Sequence, residues 1–374
     1  MAIFNIVQIS DLHLCTEPDW LTPYDEGSIL DRVAAAYDTL LGKRSTRGRV
    51  LPLAYPSSFD SDVAIGLLKH LRPKIDSLDA IIVSGDVATT GRVEDLEVAK
   101  DFLNGVLPPT LLLNPWVELE GVKPSLLADP KKCVITLPGN HDQYDGITAR
   151  PGLRNFEKIF GSLWDMERQH AHQPPGTSNR IRVATIKKED CLLILCFGDC
   201  SLNSKQEAKG AFAHFGQGIA SDQVVKDLEK ATRGAKERAK DLGLTSSVAW
   251  IIHFPPHFPE INPDLKLINE DSLVYMAEAC GIDLLLSGHT HETLSYRATG
   301  KYRGIPVYCC GATTGLSNHQ SYSYNELQIE VESRGVKTKA TQYIWSYSED
   351  HLTFVPQPQF PLAVVRQPRR VDRR

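Results

Sequence analysis

Residues 133–142 read CVITLPGNHD, and the passage from an apolar run to a polar triplet decides how the chain is read. Val134, Ile135 and Leu137 make a short run of the buried-strand kind. Pro138 and Gly139 stop it, so Asn140, His141 and Asp142 arrive at the strand's carboxyl end. Open α/β sheets place their ligand sites there.

Four more apolar runs end the same way. Ile3 to Ile9 leads into Ser10-Asp11-Leu12-His13, and Ala80 to Val83 into Ser84-Gly85-Asp86. Val248 to Ile252 leads into His253-Phe254-Pro255-Pro256, and Leu284 to Leu286 into Ser287-Gly288-His289-Thr290-His291. A lone Asp or His after a strand is as readily a turn residue, so the weight lies in the repetition.

A chain of 374 residues suggests two or three domains by size. Donors spread from position 11 to 291 must nevertheless be closed by one fold, which predicts a single catalytic domain over 1–355 with insertions near 15–60 and 105–132. Residues 356–374, rich in Pro and Arg, read as a disordered tail. The last nine residues, RQPRRVDRR, carry a surplus of four positive charges; the formal net charge is -5, which leaves -9 on the remainder. So acidic a body argues against general nucleic-acid binding.

At 42% hydrophobic and 23% charged, the composition is that of a globular protein with a real core. Met1 is followed at once by a site-bearing strand, with no leader-like segment, and no apolar run approaches bilayer length. Eight cysteines without CxxC pairs, among them Cys191, Cys196, Cys309 and Cys310, read as buried free thiols of a cytoplasmic protein.

Helical spacing predicts helices over Tyr24 to Leu41, Val63 to Leu71 capped by Ser61 or Asp62, Glu94 to Val106, Phe156 to Trp164, Ser221 to Leu242 and Asp271 to Cys280. Cys191 to Phe197 reads as a strand. Ile305 to Cys310, Glu326 to Val331 and Lys337 to Trp345 read as consecutive strands of an antiparallel sheet.

Asp11, His13, Asp86, Asn140, His253, His289 and His291 offer hard oxygens and imidazoles without a thiolate, a set that suits Mn, Fe or Zn. Seven donors exceed one tetrahedral ion. They suit two divalent or mixed-valence ions, ~3.5 to 4 Å apart, sharing a carboxylate and a bridging hydroxide. Such a pair lowers the pKa of water from 15.7 towards about 7 and clamps phosphate oxygens, so the natural reaction is hydrolysis of a phosphate ester. His141, beside a donor, is the candidate to give a hydrogen bond or proton to the phosphate or leaving oxygen.

These motifs, in this order, resemble the calcineurin-like metallophosphoesterase superfamily: Asp11/His13, Gly85/Asp86, Gly139 to Asp142, His253 and Gly288 to His291. The start IVQISDLHL, the GNHD form and the Pro pair after His253 are most similar to the branch of class III cyclic nucleotide phosphodiesterase-like enzymes. The resemblance implies a four-layer α/β sandwich, two mixed sheets packed face to face with helices outside. It implies one ion held by Asp11, His13, Asp86 and His291 and another by Asp86, Asn140, His253 and His289, with His141 acting at the phosphate.

Phe254 stands where many relatives carry a second His, so any substrate contact made by that imidazole is missing. Asn140, His141, Thr290 and His257 are the candidate substrate contacts, although His257 also reads as a solvated loop residue. Asp142 reads as orienting the GNHD turn. Gly198-Asp199 repeats the Gly-Asp pair outside any of the implied metal positions and reads as a structural turn, and His170 and His172 as exposed.

The expected activity is a phosphodiesterase acting on a small nucleotide-like or cyclic nucleotide diester by attack of the bridging hydroxide. Monoester or pyrophosphate hydrolysis, nuclease action and a metal-binding scaffold without turnover are the alternatives. The insertions are long enough to cap the site or to join subunits of a homo-oligomer.

Overall fold

The computed structural model describes residues 1–16, 59–104, 133–144, 151–160, 171–210, 216–301, 303–315, 321–332, 335–348 and 351–357. The expected helix over 24–41, the interval 107–132, Trp164, His170, His214 and the tail beyond 357 lie outside these residues.

Six strands make the first sheet: β1 (Ala2–Ile9), β2 (Ala80–Val83), β3 (Cys133–Thr136), and the later β13 (Ser323–Glu332), β14 (Gly335–Ser348) and β15 (His351–Pro356), in the order β15-β14-β13-β1-β2-β3. Strands β1, β2 and β3 run parallel, and β13 to β15 form an antiparallel meander joined to β1. The second sheet has the order β11-β12-β10-β8-β6-β5-β4. Its strands are β4 (Ala171–His172), β5 (Ile181–Lys188), β6 (Cys191–Gly198), β8 (Thr245–Ile251), β10 (Leu284–Ser287), β11 (Leu294–Ala298) and β12 (Ile305–Cys309). A two-stranded ribbon, β7 (Gly218–Ile219) with β9 (Leu267–Ile268), stands apart.

The parallel strands are buried on both faces, which is why AIIV in β2 and CLLILCFG in β6 are continuous runs instead of alternating ones. Along β6, Leu193, Leu195 and Phe197 join a core that links the two sheets with α1 (Ser61–Leu71) and α2 (Val93–Leu103). Ile194 and Cys196 face the other way, into a second core with α5 (Asp222–Asp241) and α6 (Glu270–Cys280). Two short helices, α3 (Asn155–Ile159) and α4 (Lys205–Gly210), fall between α2 and α5 in chain order, and Phe156 of α3 joins the first core. The layers are therefore helix, sheet, sheet, helix, the sandwich expected.

Three details differ from the sequence reading. The cap of α1 is Asp60, whose carboxylate accepts from the amides of Asp62 and Val63; Ser61 and Asp62 already lie in or beside the first turn. Strand β12 leaves the antiparallel run and pairs parallel to β10 in the second sheet. Pairing at the C-terminal side reaches Gln357, whose amide donates to the Gln342 carbonyl at 2.8 Å. Ser221 caps α5 as expected, accepting from Val224 N. The seven cysteines whose side chains are described are buried and free. Among the described residues no helix is long and apolar enough to cross a membrane.

Candidate metal centre

The carboxyl ends of β1, β2 and β3 lie side by side, and the loops that leave them stay paired beyond the strands. Asp11 N donates to Gly85 O and His13 N to Asp86 O, both at 3.1 Å, so the first two motifs are laced together by main chain. In the second sheet β8 ends at His253 and β10 at Gly288-His289-Thr290-His291, and Gly288 N donates to His253 O at 2.8 Å. Close approach explains the glycines. A Cβ on Gly139 would overlap Oδ1 of Asp86, and one on Gly288 would overlap Oγ of Ser10.

Asp11, His13, Asp86, His289 and His291 all hold left-handed backbone, with φ from 50° to 76°. Non-glycine residues rarely do so, and each such conformation costs of order 1 kcal/mol. The surrounding fold imposes these angles, and they turn the side chains inward.

The side chains meet in groups whose ligand atoms lie within 4.8 Å of one another: Asp11, His13 and His291; Asp86, His253 and His289; and His13, Asp86 and His141. Nε2 of His13 and of His291 are 3.1 Å apart. Nε2 of His253 lies 3.2 Å from Oδ1 of Asn140 and 3.2 Å from Oδ2 of Asp86. All seven sequence-selected donors thus converge, and each group except the one with His141 draws on both sheets.

Ring tautomers are set by backbone carbonyls, which have no side-chain signature. Nδ1 of His253 donates to Ser84 O at 2.7 Å, leaving Nε2 for the centre, whereas Nε2 of His289 donates to Leu265 O at 2.9 Å, leaving Nδ1. His141 is anchored through Nδ1 to Thr89 O at 2.9 Å, and its amide donates to Oδ1 of Asp86. Phe254, fully buried, packs its ring 5.0 Å from that of His253 and 4.7 Å from that of His289.

The field of the centre calls for positive charge. Burial opposes ionisation of Asp11, but the imidazole of His291 beside it holds its carboxyl at about 2. Asp86 is held low against burial, by His253 first. Burial disfavours charge on His253, yet the Asp86 carboxylate raises it to about 9. His13 and His289 are pushed down, by burial first and then by neighbouring imidazoles, His289 to about 3.

Without a cation, these lone pairs can be reconciled only by placing protons on some of the rings. Oδ1 of Asp11 is buried with no hydrogen-bond partner at all. An orphaned carboxylate oxygen among converging imidazoles fits a metal ion, and the oxygen and nitrogen donor set fits Mn, Fe or Zn.

Asp142 holds the turn and points away from the donors' meeting point: Oδ2 accepts from Gly139 N at 2.8 Å and Oδ1 from Ala88 N at 3.0 Å. Burial, and then the charge of Asp86, raise its carboxyl to about 7. Ser201, not singled out by the sequence, supports the same turn by donating to the carbonyls of Pro138 and Gly139.

Asp199 accepts from Ser201 N and Asn203 Nδ2, both at 2.8 Å, the structural turn expected. His257 pairs with Asp271 at 2.9 Å, and Thr290 Oγ1 lies 3.4 Å from Cys309 Sγ; neither belongs to a donor group. His172 is exposed.

No curated protein matches. Two solved structures that align are a single and a double mutant of Vps29 from Entamoeba histolytica, at 9% and 8% identity, each alignment covering 95% of this chain and 100% of the other with a TM-score of 0.29. The profile of calcineurin-like phosphoesterases (Metallophos) matches residues 4–293, from β1 through the last imidazole of the centre. The chain belongs to the calcineurin-like phosphoesterase family.

Proposed function

We propose that this metal-dependent phosphoesterase holds two ions and hydrolyses a small phosphodiester of the nucleotide or cyclic nucleotide kind, in the manner of the class III phosphodiesterase-like branch. The observation that carries the two-ion reading is Asp86, a carboxylate with two oxygens that groups with His13 on one side and with His253 and His289 on the other, and so can serve both ions. Asp11, His13, Asp86 and His291 would hold one ion, and Asp86, Asn140, His253 and His289 the other. Bound there, the ions supply Lewis acidity that acidifies water and neutralises phosphate charge.

The chain's own part is to orient and to move a proton. Serine and leucine carbonyls fix which nitrogen His253 and His289 present. His141, tethered through Nδ1–H to Thr89 O, has Nε2 left to carry a second proton, which the imidazolium would share with a phosphate oxygen and give up to the departing alkoxide, leaving the neutral ring. The diester preference rests on the GNHD form and the Pro255-Pro256 pair after His253. The acidic body disfavours a polynucleotide substrate, and the buried thiols suit a reducing compartment such as the cytoplasm.

The test is hydrolysis of a chromogenic bis-aryl phosphate and of the corresponding monoester, with Mn added and after chelation. Mn-dependent diester cleavage supports the proposal. Turnover of the monoester alone overturns the diester reading, and no turnover of either with both ions bound favours a scaffold.

A further inference from the structure

Among the described residues, two of the three donor groups take members from both sheets, yet the sheets share no hydrogen-bonded ladder. Apolar packing between sheets tolerates sliding, whereas a metal centre needs donors held to a fraction of an ångström. Beside the ties made by the donors themselves, His253 to Ser84 O and His289 N to Asp11, a buried amide that is not a donor crosses the gap close to the site. Gln8, on β1 three residues before Asp11, is fully buried in a strand otherwise largely apolar.

Its Nε2 donates to the carbonyl of Ser287 at 2.8 Å and of Tyr308 at 3.2 Å, on β10 and β12 of the opposite sheet. Its Oε1 accepts from Asn325 Nδ2 at 3.3 Å, on the neighbouring β13. Asn325 also reaches across to the Cys309 carbonyl at 3.4 Å. Donors and acceptor of the amide are all engaged, so it has one orientation.

A buried amide is unfavourable unless its hydrogen bonds are made, and Met or Leu would fill the same space. The second sheet does not need the donor, since Ser287 O already accepts from Cys310 N at 2.8 Å. What the amide adds is a directional tie between the strand that presents Asp11 and His13 and the strand that presents His289 and His291.

We propose that Gln8, oriented by Asn325, is a positioning residue that sets the spacing and register of the two sheets at the metal centre. The inference rests on the two-ion reading above. It makes ion affinity depend on a side chain that touches neither ion nor substrate.

The test is Gln8→Met, which keeps the length of the side chain and removes its hydrogen bonds, read by calorimetric titration of the chelator-stripped full chain with Mn²⁺ and by the electron paramagnetic resonance of the loaded protein. Mn²⁺ affinity should fall by about 10- to 100-fold, the range for residues that orient ligands, and the exchange-coupled signal of adjacent ions should weaken. Leu327→Ala is the control, because it empties core space on β13 without touching the amide. It should lower thermal stability while leaving ion number, affinity and coupling as in the wild type.

Asn325→Leu, which removes only the group orienting the amide, should act in the same direction and serves if Gln8→Met does not fold. Wild-type affinity and coupling in either folded variant overturn the proposal. A wild type that holds two coupled ions but cleaves no phosphate ester removes the functional reading and leaves the role of Gln8 standing.

Discussion

The main-chain amide of His289 donates to Oδ2 of Asp11 at 3.0 Å, although Asp11 follows a strand of the first sheet and His289 a strand of the second. One carboxylate oxygen therefore ties the sheets together while the other, Oδ1, lies 3.4 Å from Nε2 of His291. The centre is a seam between two sheets, so loss of a donor has structural as well as chemical effects.

Asp86 is the one carboxylate that stands in two of the donor groups, beside His13 in one and beside His253 and His289 in the other. Asp86→Ala should leave the purified protein with less than a single ion per chain by elemental analysis and without measurable phosphoester hydrolysis. Retention of two ions would show that another residue bridges.

His141→Ala should behave differently. Its ring is tethered to Thr89 O and need not serve as a ligand, so metal content should be preserved while kcat falls by about 10²- to 10⁴-fold, the usual worth of a positioned acid. Loss of metal in this variant would transfer His141 to the ligand set.

Phe254 is wedged against the rings of His253 and His289, and a Cβ on Gly218 would overlap its ring. Phe254→Ala should destabilise the fold by about 3 to 5 kcal/mol in denaturant titrations and weaken metal binding with it. Gly218→Ala should also lower the unfolding midpoint.

Far from the centre, burial and then the Lys74 ammonium hold His70 at about 4, against an ordinary 6.5. Nζ of Lys74 lies 2.9 Å from Nε2 of His70, so the neutral ring accepts that hydrogen bond. The folded state thus binds the proton less readily than the unfolded chain. The stability contribution is complete above about 6.5 and is lost as the pH falls through that value towards 4. In chelator-treated protein, the melting temperature of His70→Gln should fall less steeply than that of the wild type across this window.

Asp60→Ala removes the side chain that caps α1 and should cost about 1 kcal/mol, with little change in metal content.

What could be seen in the sequence was the side-chain chemistry. Apolar runs that stop at Asp11, Asp86, Asn140, His253 and His289 announce both the strands and what those strands present, because a buried parallel strand must be apolar and its end must not. The parts that escaped are those carried by main chain or by spatial order. The Ser84 and Leu265 carbonyls that orient the imidazoles have no side-chain signature. Ile305 to Cys309 has the composition of any buried strand, and nothing in it says that its neighbour is β10 in place of β13. The hairpin of β5 with β6, turning at Glu189 and Asp190, is absent from the sequence reading, because IRVATIKK mixes apolar and polar residues without a clean alternation and is weaker than the run that follows it.

The left-handed backbone at Asp11, His13, Asp86, His289 and His291 limits the amino-acid alphabet at those positions. Aspartate, asparagine, histidine and glycine enter that region most readily, and the first three of these are also good donors to hard or borderline ions. A saturation library over the five positions should therefore return survivors from that short set alone, with valine, isoleucine and threonine rejected by the chain's shape even before ion capture is asked of them.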